Sequence, residues 1–471
     1  MSPTHLHRIG QALAALGCVI LMVACGGAGE LGSGGTGTGS SAALGTVTGL
    51  GSVFVDGVRF EDSDAAVQTE DFNGDLVLAE TKLGQRVALA FTVDGVAQSV
   101  NIEPELLGKV SAAPVGGSFS VLGQTVVVNG TAVLGPVTQF GGGYTSVNDV
   151  RPTDFVEVHG VWRTSAGVTV LQATRVDKLA ADFAFVRVVG NVSGLSNGGT
   201  RFNLGGLTVD ASAAVLVPAG RVLTEGRSVV VYARPSDLQA TGTTSTLTAR
   251  RVRSRELTNG PVQSYVGGVV SSFVAGSSFK LGGIGVLYDA STDVRLNGAA
   301  TLGNDTYVQV RGNFDIDGNL NARRVEVRNG KLDAELHGTA MSYVAATQTF
   351  TVRDVPVLAA DAAPFDSCPA DLSGAYVEVK GTLTMAGVVA QSVKCMDAPA
   401  GAVIEWRGVA SQVGVRTFHL TPPDKNVRWT AALTFFRDVT PDALDGQALR
   451  VQGVFNQGTN VLVATEIRLD H

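Results

Sequence analysis

Gly268-Val269-Val270-Ser271-Ser272 opens a stretch that passes through Phe279, Val286-Leu287-Tyr288-Asp289, Tyr307-Val308-Gln309-Val310-Arg311-Gly312 and Asp317-Gly318-Asn319 to reach Ala322-Arg323-Arg324-Val325. Each part is short, alternating or bounded by glycine, which is the pattern of strands and turns and not of helices. Five strands fit between Gly268 and Val327. In Tyr307-Val308-Gln309-Val310-Arg311 the two valines point one way and their neighbours the other, because successive strand side chains face opposite sides. Asp317-Gly318 is a favoured hairpin pair.

The same unit recurs along the chain. Its openings are Gly45-Thr46-Val47-Thr48, Gly108-Lys109-Val110-Ser111, Gly190-Asn191-Val192-Ser193, Gly268-Val269-Val270-Ser271, Gly338-Thr339-Ala340-Met341 and Gly408-Val409-Ala410-Ser411, and Phe54, Phe119, Phe202, Phe279, Phe350 and Phe418 follow them. Val156 and Val158, Val377 and Val379, and Leu449 and Val451 match Val308 and Val310. Each contributes about 1.5–3 kcal/mol if fully buried. Gly160, Gly312, Gly381 and Gly453 come next, where a bend or bulge suits a closing barrel. The first and third units are looser: Val100 closes the first, and the third has Val229-Val230-Val231-Tyr232-Ala233 without the glycine. Five short strands in some 60–80 residues predict a small barrel of OB-fold size. Six such units predict beads on a string, with contacts dense inside a unit and sparse between units; a continuous β-solenoid would need shorter periods.

Composition agrees. The chain has 59 Gly, 15 Pro, 45% hydrophobic and 16% charged residues, which fits a turn-rich β protein with ample apolar content. Its formal charge of −7 gives no general attraction for nucleic acid or anionic lipid. Residues 1–24 read as an address: His5, His7 and Arg8 precede an apolar run from Ile9 to Val23, too short for a confident membrane span. It ends in Leu21-Met22-Val23-Ala24-Cys25-Gly26, which resembles the lipobox of bacterial lipoproteins. That resemblance implies cleavage before Cys25, lipidation of its sulfur and, with Gly26 and no Asp at that position, the outer membrane. Two or more acyl chains anchor stably. Residues 25–43 are then a Gly/Ser-rich tether with a reach of about 20–25 Å. Gly27-Ala28-Gly29-Glu30-Leu31-Gly32 inside it has the G-x-G-x-x-G form but lacks the strand and helix that a dinucleotide site requires. The expected units are 44–107, 108–189, 190–267, 268–337, 338–407 and 408–471.

Gly45 to Phe60 and the Val-Glu-Val-x-Gly segments at Val156 to Gly160 and Val377 to Gly381 resemble a family of bacterial envelope proteins with tandem copies of a domain of unknown function, number 5666. The resemblance implies a lipoprotein location and a β-barrel-like module. It implies no activity.

Candidate chemistry is sparse. Cys368 and Cys395 remain as a pair in the fifth unit once Cys18 and Cys25 are assigned to the address. A disulfide closing a loop of about 27 residues would contribute roughly 3 kcal/mol; zinc is the alternative, with no His in that unit to complete it between 338 and 407. Arg251, Arg253 and Arg255 alternate onto one face, which could meet lipopolysaccharide phosphates or an acidic glycan, or could guard an exposed sheet edge. His159, His337, His419 and His471 fall apart from one another and read as ordinary strand or surface residues. Gly194-Leu195-Ser196-Asn197-Gly198 has the nucleophile-elbow form but sits between strands and reads as a hairpin turn. Asp71-Phe72-Asn73-Gly74-Asp75 and Asp315-Ile316-Asp317-Gly318-Asn319 could hold calcium weakly, yet lack EF-hand spacing and read as turns.

The sequence therefore predicts an all-β chain of tandem OB-like barrels on a lipid-anchored tether, acting as a non-catalytic binding or scaffolding protein. Its expected partners are the membrane, through the anchor, and an envelope protein or glycan. No catalytic, cofactor or metal residue is assigned. The rival reading is a periplasmic hydrolase with carboxylates dispersed among units, which would need a convergent polar cleft.

Overall fold

Val308 and Val310 are fully buried on the strand Tyr307–Phe314, as the alternation requires, and so are Val156, Val158, Val377, Val379, Leu449 and Val451 on the matching strands. The computed structural model of the protein describes residues 41–470 except 63–64, 166–167, 182, 242–243, 256–262, 300, 329–332, 361–364, 399–401, 422–423 and 457. Among the described residues the regular elements are strands and short 3-10 turns.

The strand pairings form closed circuits. In the fourth, Ser264–Val274 pairs antiparallel with Ser278–Leu281, which pairs with Ile284–Leu287; that strand runs parallel to Leu320–Val327, which returns through Tyr307–Phe314 to Ser264–Val274. The order is first, second, third, fifth, fourth and back to first, with the third and fifth strands parallel. The fifth circuit repeats it with Asp333–Val344, Thr349–Val352, Val355–Leu358, Tyr376–Thr384 and Gly387–Cys395. The sixth does so with Val403–Gly414, Thr417–Thr421, Lys425–Arg428, Ala448–Asn456 and Val461–Leu469. The second closes with help from the bridge Val110 to Val121. The first closes through the bridge Glu61 to Val96. In the third, the fourth and fifth strands are each split in two, so that Ser228–Ala233 with Arg251–Ser254 and Leu238–Thr241 with Thr244–Thr248 belong to different sheets. The six phenylalanines that follow the openings are all buried.

The glycine after the valine pair marks a bulge in each regular circuit. Register slips between His159 and Gly160, Arg311 and Gly312, Lys380 and Gly381, and Gln452 and Gly453. A Cβ on Gly312, Gly381 or Gly453 would lie 2.2 Å from a carbonyl oxygen of the partner strand, so glycine is the residue that permits the strand to bend there.

The beads do not hang apart. Ala42–Leu44 pairs in parallel with Ser264–Val266, Gly49–Leu50 pairs in parallel with Glu335–Leu336, and Leu106–Leu107 pairs with Arg187–Val188. The first two pairings merge the first, fourth and fifth circuits into one 18-stranded sheet, and the third joins the second and third circuits in a 10-stranded sheet. The apolar interior of the second circuit is continuous with that of the third, and the first with the fifth. The expectation of sparse contacts between units is therefore corrected. The reason is visible on the outward faces: Tyr307 and Gln309 reach Asp56 of the first circuit, and Arg450 reaches Asp354 of the fifth, and all three are buried there.

Candidate functional site

The arginine run lies on Arg251–Ser254, which pairs with Ser228–Ala233 on one side and Val215–Val217 on the other, so it guards no free edge. Its alternation is real, but the face it supplies meets carboxylates of the first circuit. Arg251 Nη1 lies 2.5 Å from Glu70 Oε1, and Arg253 Nη2 lies 2.9 Å from Glu70 Oε2 and 3.4 Å from Glu103 Oε2. Arg255 Nη1 lies 3.1 Å from Glu105 Oε1, and Arg187 Nη2 lies 2.6 Å from Glu103 Oε2. Tyr232 donates to Glu70 Oε2 at 2.5 Å, and Trp162 Nε1 donates to Glu105 Oε2 at 2.9 Å. The reading of Arg251, Arg253 and Arg255 as an open anion-binding face is thus corrected: Arg251 and Arg253 are buried, and their anions are internal.

Burial alone would push Glu103 up, but Arg253, Arg187 and Arg255 together outweigh it and hold the carboxyl at about 2, below its ordinary 4.5. Tyr232 is pushed up to about 12 by burial against the opposing pull of Arg187. Glu103 is therefore ionised at neutral pH, and the network keeps its ion pairs there. It locks the first and third circuits together and exposes one side of itself to a cavity.

That cavity is a cleft of about 570 Å³. Arg86, Glu103 and Glu105 reach it from the first circuit, Gly160 and Trp162 from the second, Arg221, Glu225, Arg227, Arg253 and Arg255 from the third, and Gly267, Gly268, Gly283 and Asp317 from the fourth. Five arginines (Arg86, Arg221, Arg227, Arg253, Arg255) and four carboxylates (Glu103, Glu105, Glu225, Asp317) line it. Arg86 is buried and donates through Nη2 to Gly267 O at 3.0 Å, which ties one wall to the other. The glycines form a wall without side chains, where a ligand can approach backbone groups.

A second cleft, of about 420 Å³, lies between the first and sixth circuits and is lined by Asp62, Glu80, Arg353, Phe435 and Glu466 among mostly apolar neighbours. Burial raises Asp62 against the pull of Arg353, and raises Glu466 against Arg437 and Arg468. Arg437 pairs with Glu80 and with Glu466, while Asp354 pairs with Arg450 at 2.5 Å and with Arg468.

The remaining sequence candidates fall as follows. Cys368 and Cys395 are disulfide-bonded, with Cα atoms 4.9 Å apart. Asp71 Oδ1 accepts from the backbone N–H groups of Asn73, Gly74 and Asp75, and Asp315 Oδ1 from those of Asp317 and Asn319, as turn chemistry predicts. Gly194, Leu195 and Ser196 lie on the strand Ser193–Ser196, and Asn197 and Gly198 open the short 3-10 turn that leads to its antiparallel partner Arg201–Leu204. His159 is buried, accepts at Nδ1 from Arg86 N at 3.1 Å and meets Glu157 Oε1 at 2.7 Å through Nε2. His419 meets Asp424 and Asn426. Cys25 and Gly27 to Gly32 lie outside the described residues, as does His471. Sequence reasoning missed Glu103 and Glu105. The signal was their spacing: an i, i+2 acidic pair between the strands Ala97–Ile102 and Leu106–Lys109 matches the i, i+2 pair Arg253 and Arg255 at the end of Arg251–Ser254.

A chain of tandem OB-like barrels with a composite polar cleft is the class that this geometry defines. The family model described as Domain of unknown function (DUF5666) matches residues 108–177, 267–326 and 337–394, which lie in the second, fourth and fifth circuits. A comparison with curated proteins finds no match.

Proposed function

We propose that this chain is a lipid-anchored envelope protein that binds an anionic, sugar-like ligand in the cleft where the first four circuits meet. The observation that carries the proposal is the gathering of Arg86, Arg221 and Arg227 in a cleft that also holds Trp162 and glycines from two circuits. Guanidinium groups recognise carboxylate and phosphate oxygens, and an indole offers an apolar surface to a sugar ring. Binding then depends on one composite cleft and not on six equivalent surfaces. The resemblance of Leu21 to Gly26 to a lipobox supports placement at the outer membrane, with Cys25 as the anchor.

The test is calorimetric titration with an acidic oligosaccharide, an oligogalacturonate, beside a neutral oligosaccharide of equal length. The proposal expects the acidic probe alone to bind, more weakly as salt rises, with Trp162→Ala and Arg227→Gln each reducing affinity. Equal binding of the neutral probe, or none of either, overturns it.

The hydrolase reading is favoured by the second cleft, where Asp62 and Glu466 are both raised by burial, the condition for a carboxyl to hold a proton. In the larger cleft Glu103 is held at about 2 and has no proton to give near neutral pH. A hydrolase at the second cleft would lose turnover in Asp62→Asn while oligosaccharide binding at the first cleft stayed unchanged.

A further inference from the structure

Glu335 and His337 sit two residues apart on Asp333–Val344, and the antiparallel register with Tyr376–Thr384 places Glu378 directly opposite His337 and Lys380 opposite Glu335. All four side chains therefore share one face of the fifth barrel. His337 Nε2 lies 2.7 Å from Glu335 Oε1 and 3.9 Å from Glu378 Oε2, and the three ligand atoms fall within 4.8 Å of one another. Phe54, from the first circuit, stacks on the imidazole with centroids 6.1 Å apart and planes at 24°, which fixes the ring.

The chain contains an internal comparison. Glu157-Val158-His159-Gly160 repeats the order of Glu335-Leu336-His337-Gly338, and the Glu to His distance is again 2.7 Å. There, however, the residue opposite His159 is Arg175, which is paired with Asp177, and Nδ1 of His159 is taken by Arg86 N. The second-circuit motif is closed by a guanidinium. In the fifth circuit a carboxylate stands where that guanidinium stands, and the space between carboxylates is addressed by Lys380, whose Nζ lies 3.1 Å from Glu378 Oε1 and 3.7 Å from Glu335 Oε1. Lys380 is half-exposed, so it can swing to solvent.

The geometry points to a divalent transition-metal site, of the Zn²⁺ type, formed by Glu335, His337 and Glu378, with Lys380 as the internal cation that a metal displaces. One imidazole and two carboxylates are a Zn²⁺ donor set that leaves a fourth position open. Tetrahedral ligands at zinc bond lengths stand about 3.4 Å apart. The 2.7 Å contact must therefore open slightly and the 3.9 Å contact close, both within reach of carboxylate rotation. Without Lys380 the two carboxylates carry two negative charges beside a histidine. The metal would also brace the seam with the first circuit, because Gly49 and Leu50 pair with Glu335 and Leu336.

The experiment is a Zn²⁺ titration of the purified protein against a chromophoric chelator, with thermal unfolding as a second readout. The expected result is one equivalent bound, a rise in Tm with added Zn²⁺, and an affinity lowered by at least about tenfold in His337→Gln. Lys380→Met, which removes the competitor and keeps the stem, is expected to bind Zn²⁺ more tightly than the wild type. His419→Gln is expected to change nothing. No uptake of Zn²⁺ by the wild type or Lys380→Met overturns the inference, as does uptake that survives His337→Gln or moves with His419→Gln.

Discussion

Tyr307 donates its phenolic hydrogen to Asp56 Oδ1 at 2.5 Å, joining the fourth circuit to the first across 251 residues of chain. Both groups are buried, and Gly45 and Gly267 leave the room: a Cβ on either would stand 2.1 or 1.8 Å from Asp56 Oδ2. Burial raises the Asp56 carboxyl against the pull of Arg86 and the hydrogen bond from Tyr307. A group raised in the folded state contributes stability that is complete below its unfolded value and is lost as pH rises through the folded value. Urea midpoints across pH should therefore show Asp56→Asn gaining on the wild type as pH rises above the ordinary carboxylate range. Tyr307→Phe, which leaves the carboxyl short of a donor, should cost about 1–3 kcal/mol. A Tyr307→Phe midpoint equal to that of the wild type would contradict the seam.

Glu103 gives the opposite sign. It is lowered from 4.5 to about 2, so its contribution is present above 4.5 and disappears as pH falls toward 2. The full shift corresponds to something on the order of 3 kcal/mol. Glu103→Gln should destabilise at pH 7, because Arg187 loses this anion and Arg253 is left with Glu70 alone. It should also flatten the acid loss between these limits. An acid slope identical to that of the wild type would show that the pairs contribute nothing.

Gly381→Ala should unfold the fifth circuit more readily than a turn substitution would. The added Cβ would meet Val389 O at 2.2 Å, and backbone cannot step aside as a side chain can. Gly318→Ala, in a turn with φ of 81°, is the comparison and should cost about 1 kcal/mol. A lower Tm for Gly318→Ala than for Gly381→Ala would contradict the bulge assignment.

These three positions also mark what the sequence makes legible. Val308 with Val310, and Gly312 or Gly381 after such a pair, could be read because alternation and a bulge glycine are local consequences of closing a small barrel. Tyr307, Gln309 and Arg450 could not. Alternation separates two faces of a strand but says nothing of what covers the outer one, and here another barrel does. The same gap hid the partners of Arg253 and Arg255: Glu103 and Glu105 lie 150 residues away in the chain. Glu378 opposite His337 escaped for a related reason, since register between distant strands is set by the whole barrel.

The proposed anchor makes a separate prediction. Cys25→Ala should abolish incorporation of labelled fatty acid and release the protein from the membrane fraction. Persistence in that fraction after a high-salt wash would place the anchor elsewhere.

The account depends most on the barrels being joined by seams and not by tethers. A protease site introduced within residues 256–262 allows the chain to be cut between the third and fourth circuits after folding. The pieces would remain connected by the pairing of Ala42–Leu44 with Ser264–Val266, by Tyr307 on Asp56, by Arg86 on Gly267 O and by Gln139 Nε2 on Thr384 O. Size-exclusion chromatography of the cut protein should give a single species with the mass of the whole, still able to bind the acidic oligosaccharide. Two separate folded fragments would contradict the account.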